Sequence, residues 1–221
     1  MDKIIQIMQS HLIYSVGLLF SPVKTINSVL ASRNNVSDSI LIFLIIGFIC
    51  MLLKNNASIS GENIISNAAF MFFPIILFMI SIKISWALAR TNIEIETALS
   101  GALLLLSILS LNSSIIFYCT MKLVEIFDAP LYNWLGKNSF IDFAIIYFDE
   151  VEFQEKRNSN PAVKVIMVSG VVGFLVNLFY VFLFHKALGL HSGASSTKTY
   201  ISLASFIILT FIIIPFLNVI M

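Results

Sequence analysis

The chain has 221 residues, 58% of them hydrophobic and 11% charged, with 13 basic against 12 acidic side chains and a net charge of +1. Soluble domains carry about 25% charged residues, so a water-soluble globule is excluded as the plain reading. The balanced charge supplies no field to attract nucleic acid or an acidic partner.

Ile4 to Phe20 mixes Gln6, Gln9, Ser10 and His11 with apolar residues. Lys3, Gln6, Gln9 and Ser10 recur at helical spacing, which predicts an amphipathic helix in the membrane interface. A cleaved signal peptide fits less well, because the basic leader is weak and no small-x-small site follows. Ser21-Pro22 reads as a helix start, with Ser as N-cap and Pro at the first helical position. Val23, Ile26, Val29 and Leu30 then share one face, with Lys24, Asn27, Ser28 and Ser32 elsewhere, predicting a second short surface helix that ends near Arg33-Asn34-Asn35. Residues 1–35 are thus expected to be amphipathic interfacial helices, and residues 36–221 a membrane domain.

From there the apolar residues come in long blocks rather than in a two-residue or 3.6-residue stripe, as lipid-embedded helices require. A spanning helix needs about 20 mostly apolar residues. Five blocks qualify: 39–53, with Asp38 to cap it and Lys54 to snorkel outward; 64–89, interrupted by Pro74 and Lys83; 97–119; 163–184; and 199–220. The fold class is therefore all-α, a polytopic membrane protein with five transmembrane helices in a 3+2 arrangement. Between the two groups, residues 120–162 read as an interfacial loop. Tyr132, Trp134, Phe140, Phe143 and Tyr147 alternate there with Lys137 and Asp142, a composition suited to the headgroup zone. The run Phe140 to Phe148 is too short to span, and a re-entrant hairpin, which needs protein around it, is the alternative.

Lys and Arg placement is close to a tie between the two sides of such a bundle. The basic N-terminal arm and the basic 185–199 loop tip it to a cytoplasmic N-terminus and an external C-terminus.

Few residues suggest chemistry. Lys83 is an intramembrane charge, which is a functional position by default, yet its closeness to Arg90 and to Trp86, read as an interface anchor, favours snorkelling. Pro74 frees a helical carbonyl; such kinks line sites in transporters and also occur in ordinary spans. Ser169, Gly173 and Asn177 recur every fourth residue and His185 continues that face. A helix-packing seam is the first reading, and a polar conduit ending at His185 the second. His185 and His191 read as flanking a turn, and no local Cys, His or carboxylate completes a metal site. GLHSGASSTK resembles a phosphate loop only in its glycines, since Gly193 is followed by Ala and no strand precedes it; a connector is the plain reading. Asp149, Glu150, Glu152, Glu155, Lys156 and Arg157 read as a solvated charge run. Ser66-Asn67 and Asn112-Ser113-Ser114 read as helix-packing polar groups. Cys50 and Cys119 lie in apolar segments as small hydrophobes. No Ser-His-Asp, Cys-His or paired-carboxylate arrangement is legible. No catalytic residue, cofactor or metal is therefore assigned, and the chain reads as a non-enzyme.

The opening LLFSPVKTINSVLASRNN, the five-span count and the closing FLFHKALGLHSGASSTKTYISLASFIIL together resemble the Yip1-domain family of small polytopic membrane proteins. The first matches that family's short P-x-x-T helix ahead of its first span, and the last its linker and final small-residue helix. The chain departs from the family in lacking the acidic DLYGP stretch and most of the aromatic-glycine signatures, so no functional residue is carried over. The resemblance implies a non-enzymatic scaffold or membrane-organising partner. The Ile-, Phe-, Asn- and Ser-rich composition suits an AT-rich bacterial genome, and hence a bacterial inner membrane. Expected partners are the lipid bilayer and another membrane protein or a second copy of the chain, with no nucleic acid. Two further readings stay open: an immunity protein against a membrane-targeted toxin, and a small transporter or channel component.

Overall fold

The computed structural model describes residues 2–54, 61–135 and 160–220. Those residues form eight α-helices and no strand. They are α1 (Asp2–Phe20), α2 (Pro22–Leu30), α3 (Asn35–Lys54), α4 (Gly61–Leu88), α5 (Ile95–Phe127), α6 (Ala129–Leu135), α7 (Pro161–His191) and α8 (Ser196–Ile220). Among the described residues, α3, α5 and α7 are long and apolar enough to cross a membrane. A helix is the form such segments take because it satisfies every interior backbone group within the segment.

The helices run further than the apolar blocks that announce them. α5 continues past Cys119 to Phe127. Thr120 does not stop it, because its hydroxyl donates back to the Ile116 carbonyl at 2.7 Å, and Lys122 and Glu125 pair one turn apart at 2.8 Å. Residues 120–127 of the expected interfacial loop are therefore helix. The remaining aromatics and charges of that loop from residue 136 to 159 lie outside the described residues. α7 likewise continues past Phe184 to His191, so His185 and His191 stand on one helix and do not flank a turn. The turn follows them. Ala194 N–H bonds the Gly189 carbonyl at 2.9 Å and Gly193 N–H the Leu190 carbonyl at 3.3 Å, with Gly193 at φ 66°. This pair of bonds closes a helix through a left-handed residue, where glycine carries no Cβ penalty. α4 ends by the same device. Thr91 N–H reaches the Trp86 carbonyl at 3.0 Å and Arg90 N–H the Ala87 carbonyl at 2.9 Å, but here a non-glycine, Arg90, takes φ 55°.

Two compact units divide the chain: residues 1–111 with 178–221, and residues 112–177. In the first, α4 and α8 pack along each other, and α1 packs against α2 and α3. Its core joins Ile42 and Ile46 of α3, Ile82 and Trp86 of α4, Ala98, Leu105 and Ile108 of α5, Phe184 and Leu188 of α7, and Phe206 of α8. Ile26 and Val29 of α2 belong to the same core and are fully buried. α2 is thus more than a surface helix. Pro22 does open α2, but Ser21 makes no side-chain cap; the junction is carried by Ser21 N–H on the Gly17 carbonyl at 2.8 Å and Thr25 N–H on the Ser21 carbonyl at 3.0 Å. α1 has a buried and an exposed face. His11, Ser15 and Leu18 are buried, while Leu12, Ile13, Val16 and Phe20 are exposed.

The second unit comprises the C-terminal part of α5, α6 and the N-terminal part of α7. Val124, Ala162, Val163 and Ile166 form its core under Leu131, Tyr132 and Leu135. Asp128 caps α6 by accepting Leu131 N–H at 2.9 Å, and its other oxygen accepts Asn160 Nδ2–H at 2.7 Å. Asn160 in turn accepts Ala162 N–H at 2.9 Å, ahead of Pro161 at the start of α7. One Asp–Asn pair therefore caps two helices at once.

Candidate functional site

The densest buried polar group lies in the first unit, where α4, α7 and α8 meet. Ser85 sits one residue before Trp86 near the end of α4. Its hydroxyl donates to the Ile82 carbonyl at 2.9 Å, the usual local partner of a helical serine. Ser202 of α8 donates to Ser85 Oγ at 3.3 Å and stands 3.2 Å from His185 Nδ1 of α7. His185 is fully buried. Its ring lies parallel to that of Trp86, at 8° and 6.1 Å between centroids. Phe184 meets it edge-on at 5.6 Å and Phe206 tilted at 5.0 Å. Gly101 of α5 makes room for this packing, since a Cβ there would lie 3.1 Å from the Phe184 ring.

His185 is the one residue of the sequence-derived set that enters this knot. Trp86 enters as well, and as a core residue: it is fully buried, so it does not anchor the chain at a water interface. Lys83, half-buried, points its ammonium to the Ile93 carbonyl beyond the end of α4. Pro74 is half-buried inside α4, which continues through it. Ser169, Gly173 and Asn177 belong to the second unit. There Asn177 Nδ2–H donates to Ser113 Oγ of α5 at 3.1 Å, and a Cβ on Gly173 would lie 3.6 Å from the Ile116 side chain, ordinary contact. Ser169 is half-buried on the same helix.

Among the described glycines, the tightest approaches between helices occur at two that the spacing did not single out. A Cβ on Gly17 of α1 would stand 2.5 Å from Thr25 Oγ1 of α2, and one on Gly189 of α7 would overlap Thr199 Oγ1 of α8. Each glycine lets two helices joined by a tight turn close against each other, and no local signal marks either one.

A second polar group ties the N-terminal helices together. His11 Nε2 of α1 faces Asp38 Oδ1 of α3 at 3.2 Å. Asp38 Oδ2 accepts Ser32 Oγ–H at 2.6 Å, and Ser10 Oγ lies 3.3 Å from His11 Nδ1. Asp38 falls within the first turn of α3, which starts at Asn35, so it joins helices instead of capping one. Serine, imidazole and carboxylate thus meet, as in a nucleophilic triad. Ser10 and His11, however, sit inside a helix, where their own backbone N–H groups are bonded along the chain and not directed at an oxyanion. The arrangement can clasp α1 to α3. Sequence spacing did not reveal it because its members lie 27 residues apart. Among the described residues no group of three or more His, Cys, Asp or Glu side chains is placed to hold a metal ion.

Compared with protein-family models, curated proteins and solved structures, the chain matches nothing.

Proposed function

We propose that this chain is a non-enzymatic, Yip1-like integral membrane protein that acts as a scaffold, organising its lipid surroundings or holding another membrane protein or a second copy of itself. The observation that carries this reading is how polar and apolar side chains are divided. Leu44 and Phe48 of α3 and Val171, Phe174, Leu175 and Phe179 of α7 are exposed, a surface matched to lipid. Several polar side chains between helices pair with one another, as in His11 with Asp38, Ser202 with Ser85 and Asn177 with Ser113.

In this reading α4, of 28 residues, and α8, of 25, span alongside α3, α5 and α7, giving five spans in the cytoplasmic membrane of a bacterium, with the N-terminus inside. α1 and α2 form a hairpin that dips into the bilayer. Its tip lies at Phe20 and Pro22, and Leu19 meets Tyr180, whose hydroxyl donates to the Leu19 carbonyl at 2.6 Å. Tyr180 stands eleven residues before the end of α7, about 16 Å at 1.5 Å per residue, close to half of a hydrocarbon core of about 30 Å. Irregular backbone at that depth needs protein around it, which Tyr180 supplies.

Purified protein in sealed vesicles tests the scaffold against the transporter. The scaffold predicts no solute or ion flux above protein-free vesicles, together with a crosslinked species of one defined mass in native membranes. Saturable flux through the vesicles contradicts it. Survival of cells under toxin challenge, dependent on this chain, would replace the scaffold by the immunity reading.

A further inference from the structure

Counting protons through the buried knot leaves two ring nitrogens with complementary, unmet hydrogen-bonding capacity. The Ser85 hydroxyl proton goes to the Ile82 carbonyl and the Ser202 proton to Ser85 Oγ. Ser202 therefore meets His185 as an acceptor, and the proton between them belongs to Nδ1. An imidazole that carries its proton on Nδ1 presents Nε2 as a bare lone pair. His185 Nε2 is buried and has no protein partner, and neither has the buried indole nitrogen of Trp86, Nε1, which can only donate.

The oxygens of Ser39, Ser100 and Ser114 are also buried without a partner, but a helical serine reaches its own preceding turn by rotating one bond. Ser15, Ser107 and Thr120 do so here, on the carbonyls of His11, Leu103 and Ile116. The two rings have no such recourse. Each is fixed by the other's face, and His185 also by Ser202, Phe184 and Phe206.

We propose that Trp86 and His185 form a binding site for one hydroxyl-bearing ligand, water being the smallest, which accepts from Trp86 Nε1–H and donates to His185 Nε2. The ligand completes a one-directional chain from the Trp86 N–H through His185, Ser202 and Ser85 to the Ile82 carbonyl, joining α4, α7 and α8. Both rings sit near helix ends: Trp86 lies two residues from the end of α4 and His185 six from the end of α7, about 9 Å at 1.5 Å per residue.

The test is NMR of the full chain in lipid nanodiscs, labelled with ¹⁵N at Trp and His, with Trp134→Phe leaving one indole signal. The site predicts a downfield, hydrogen-bonded Trp86 indole proton with a cross-peak to water, and His185 protonated on Nδ1 and bare on Nε2. A cross-peak to an alcohol or lipid hydroxyl in place of water supports the same chemistry and identifies an organic occupant. His185→Phe is expected to abolish the cross-peak, and Ser202→Ala to remove the Nδ1 preference while the indole signal persists. An indole proton at the non-bonded position with no hydroxyl cross-peak, or His185 protonated on Nε2 in the parent chain, overturns the proposal.

Discussion

Gly189→Ala isolates a single helix approach. The new methyl group overlaps Thr199 Oγ1 and lies 3.2 Å from its Cγ2 and 3.3 Å from its Cβ. Thr199 cannot yield freely, because its hydroxyl bonds the Ser195 carbonyl at 3.2 Å in the first turn of α8. Overpacking of this kind costs about 1–3 kcal/mol, and the intrinsic preference of Ala over Gly in a helix returns about 1 kcal/mol. The expected net loss is up to about 2 kcal/mol, or a fall of up to about 8 °C in melting temperature for a chain of this size, so that the variant melts below the Gly47→Ala control. Buried Cys50 supplies the assay: its reaction with a thiol-sensitive dye on heating reports unfolding, once exposed Cys119 has been replaced by Ser. Gly47→Ala is the control, since a Cβ there meets nothing within 4 Å, and it should stabilise the chain by up to about 1 kcal/mol. Thr199→Ala should rescue Gly189→Ala. If Gly189→Ala melts with Gly47→Ala, or Thr199→Ala fails to restore it, the close approach of α7 and α8 is wrong.

Three further outcomes follow from single contacts. Tyr180→Phe removes the hydroxyl on the Leu19 carbonyl, worth about 1 kcal/mol, and should raise hydrogen exchange in residues 16–25 while leaving α8 unchanged; uniform exchange across both would contradict the anchoring. Arg90→Gly relieves a left-handed non-glycine residue and should raise stability by about 1 kcal/mol in the same thiol assay; a loss would show that the Arg90 side chain outweighs its backbone cost. Asp128→Ala deprives Leu131 N–H and Asn160 of their acceptor; a cost of about 1–2 kcal/mol is expected, visible as faster limited proteolysis at α6, and unchanged cleavage would contradict the double cap.

How much of this was legible beforehand depends on which force sets each feature. Helices were legible where lipid matching dictates them, so each of the five expected spans coincides with a helix, Ala89 alone falling just beyond the end of α4. Their ends were not, because polar residues such as Thr120 and Lys122 find partners along their own helix and let it continue. The end of α7 is set by Gly193, eight residues beyond His185, the first residue after the apolar block 163–184. The two-faced character of α1 was readable, but not the partner of His11, which meets the Asp38 carboxylate of α3. Trp86 misled for a related reason. An aromatic near a helix end resembles an interface anchor, until a histidine on another helix stacks on it. Asn177 and Gly173 do lie against α5, while His185, on the same four-residue repeat, belongs to a different unit.

The central claim, a five-span chain with a cytoplasmic N-terminus, meets its most direct test in cysteine accessibility. Single cysteines at positions 10, 58, 93, 140 and 192 of a chain lacking Cys50 and Cys119 are labelled in sealed vesicles with an impermeant reagent. Alternating protection is predicted, with 10, 93 and 192 on one side and 58 and 140 on the other. Equal protection at 10 and 58 would contradict it.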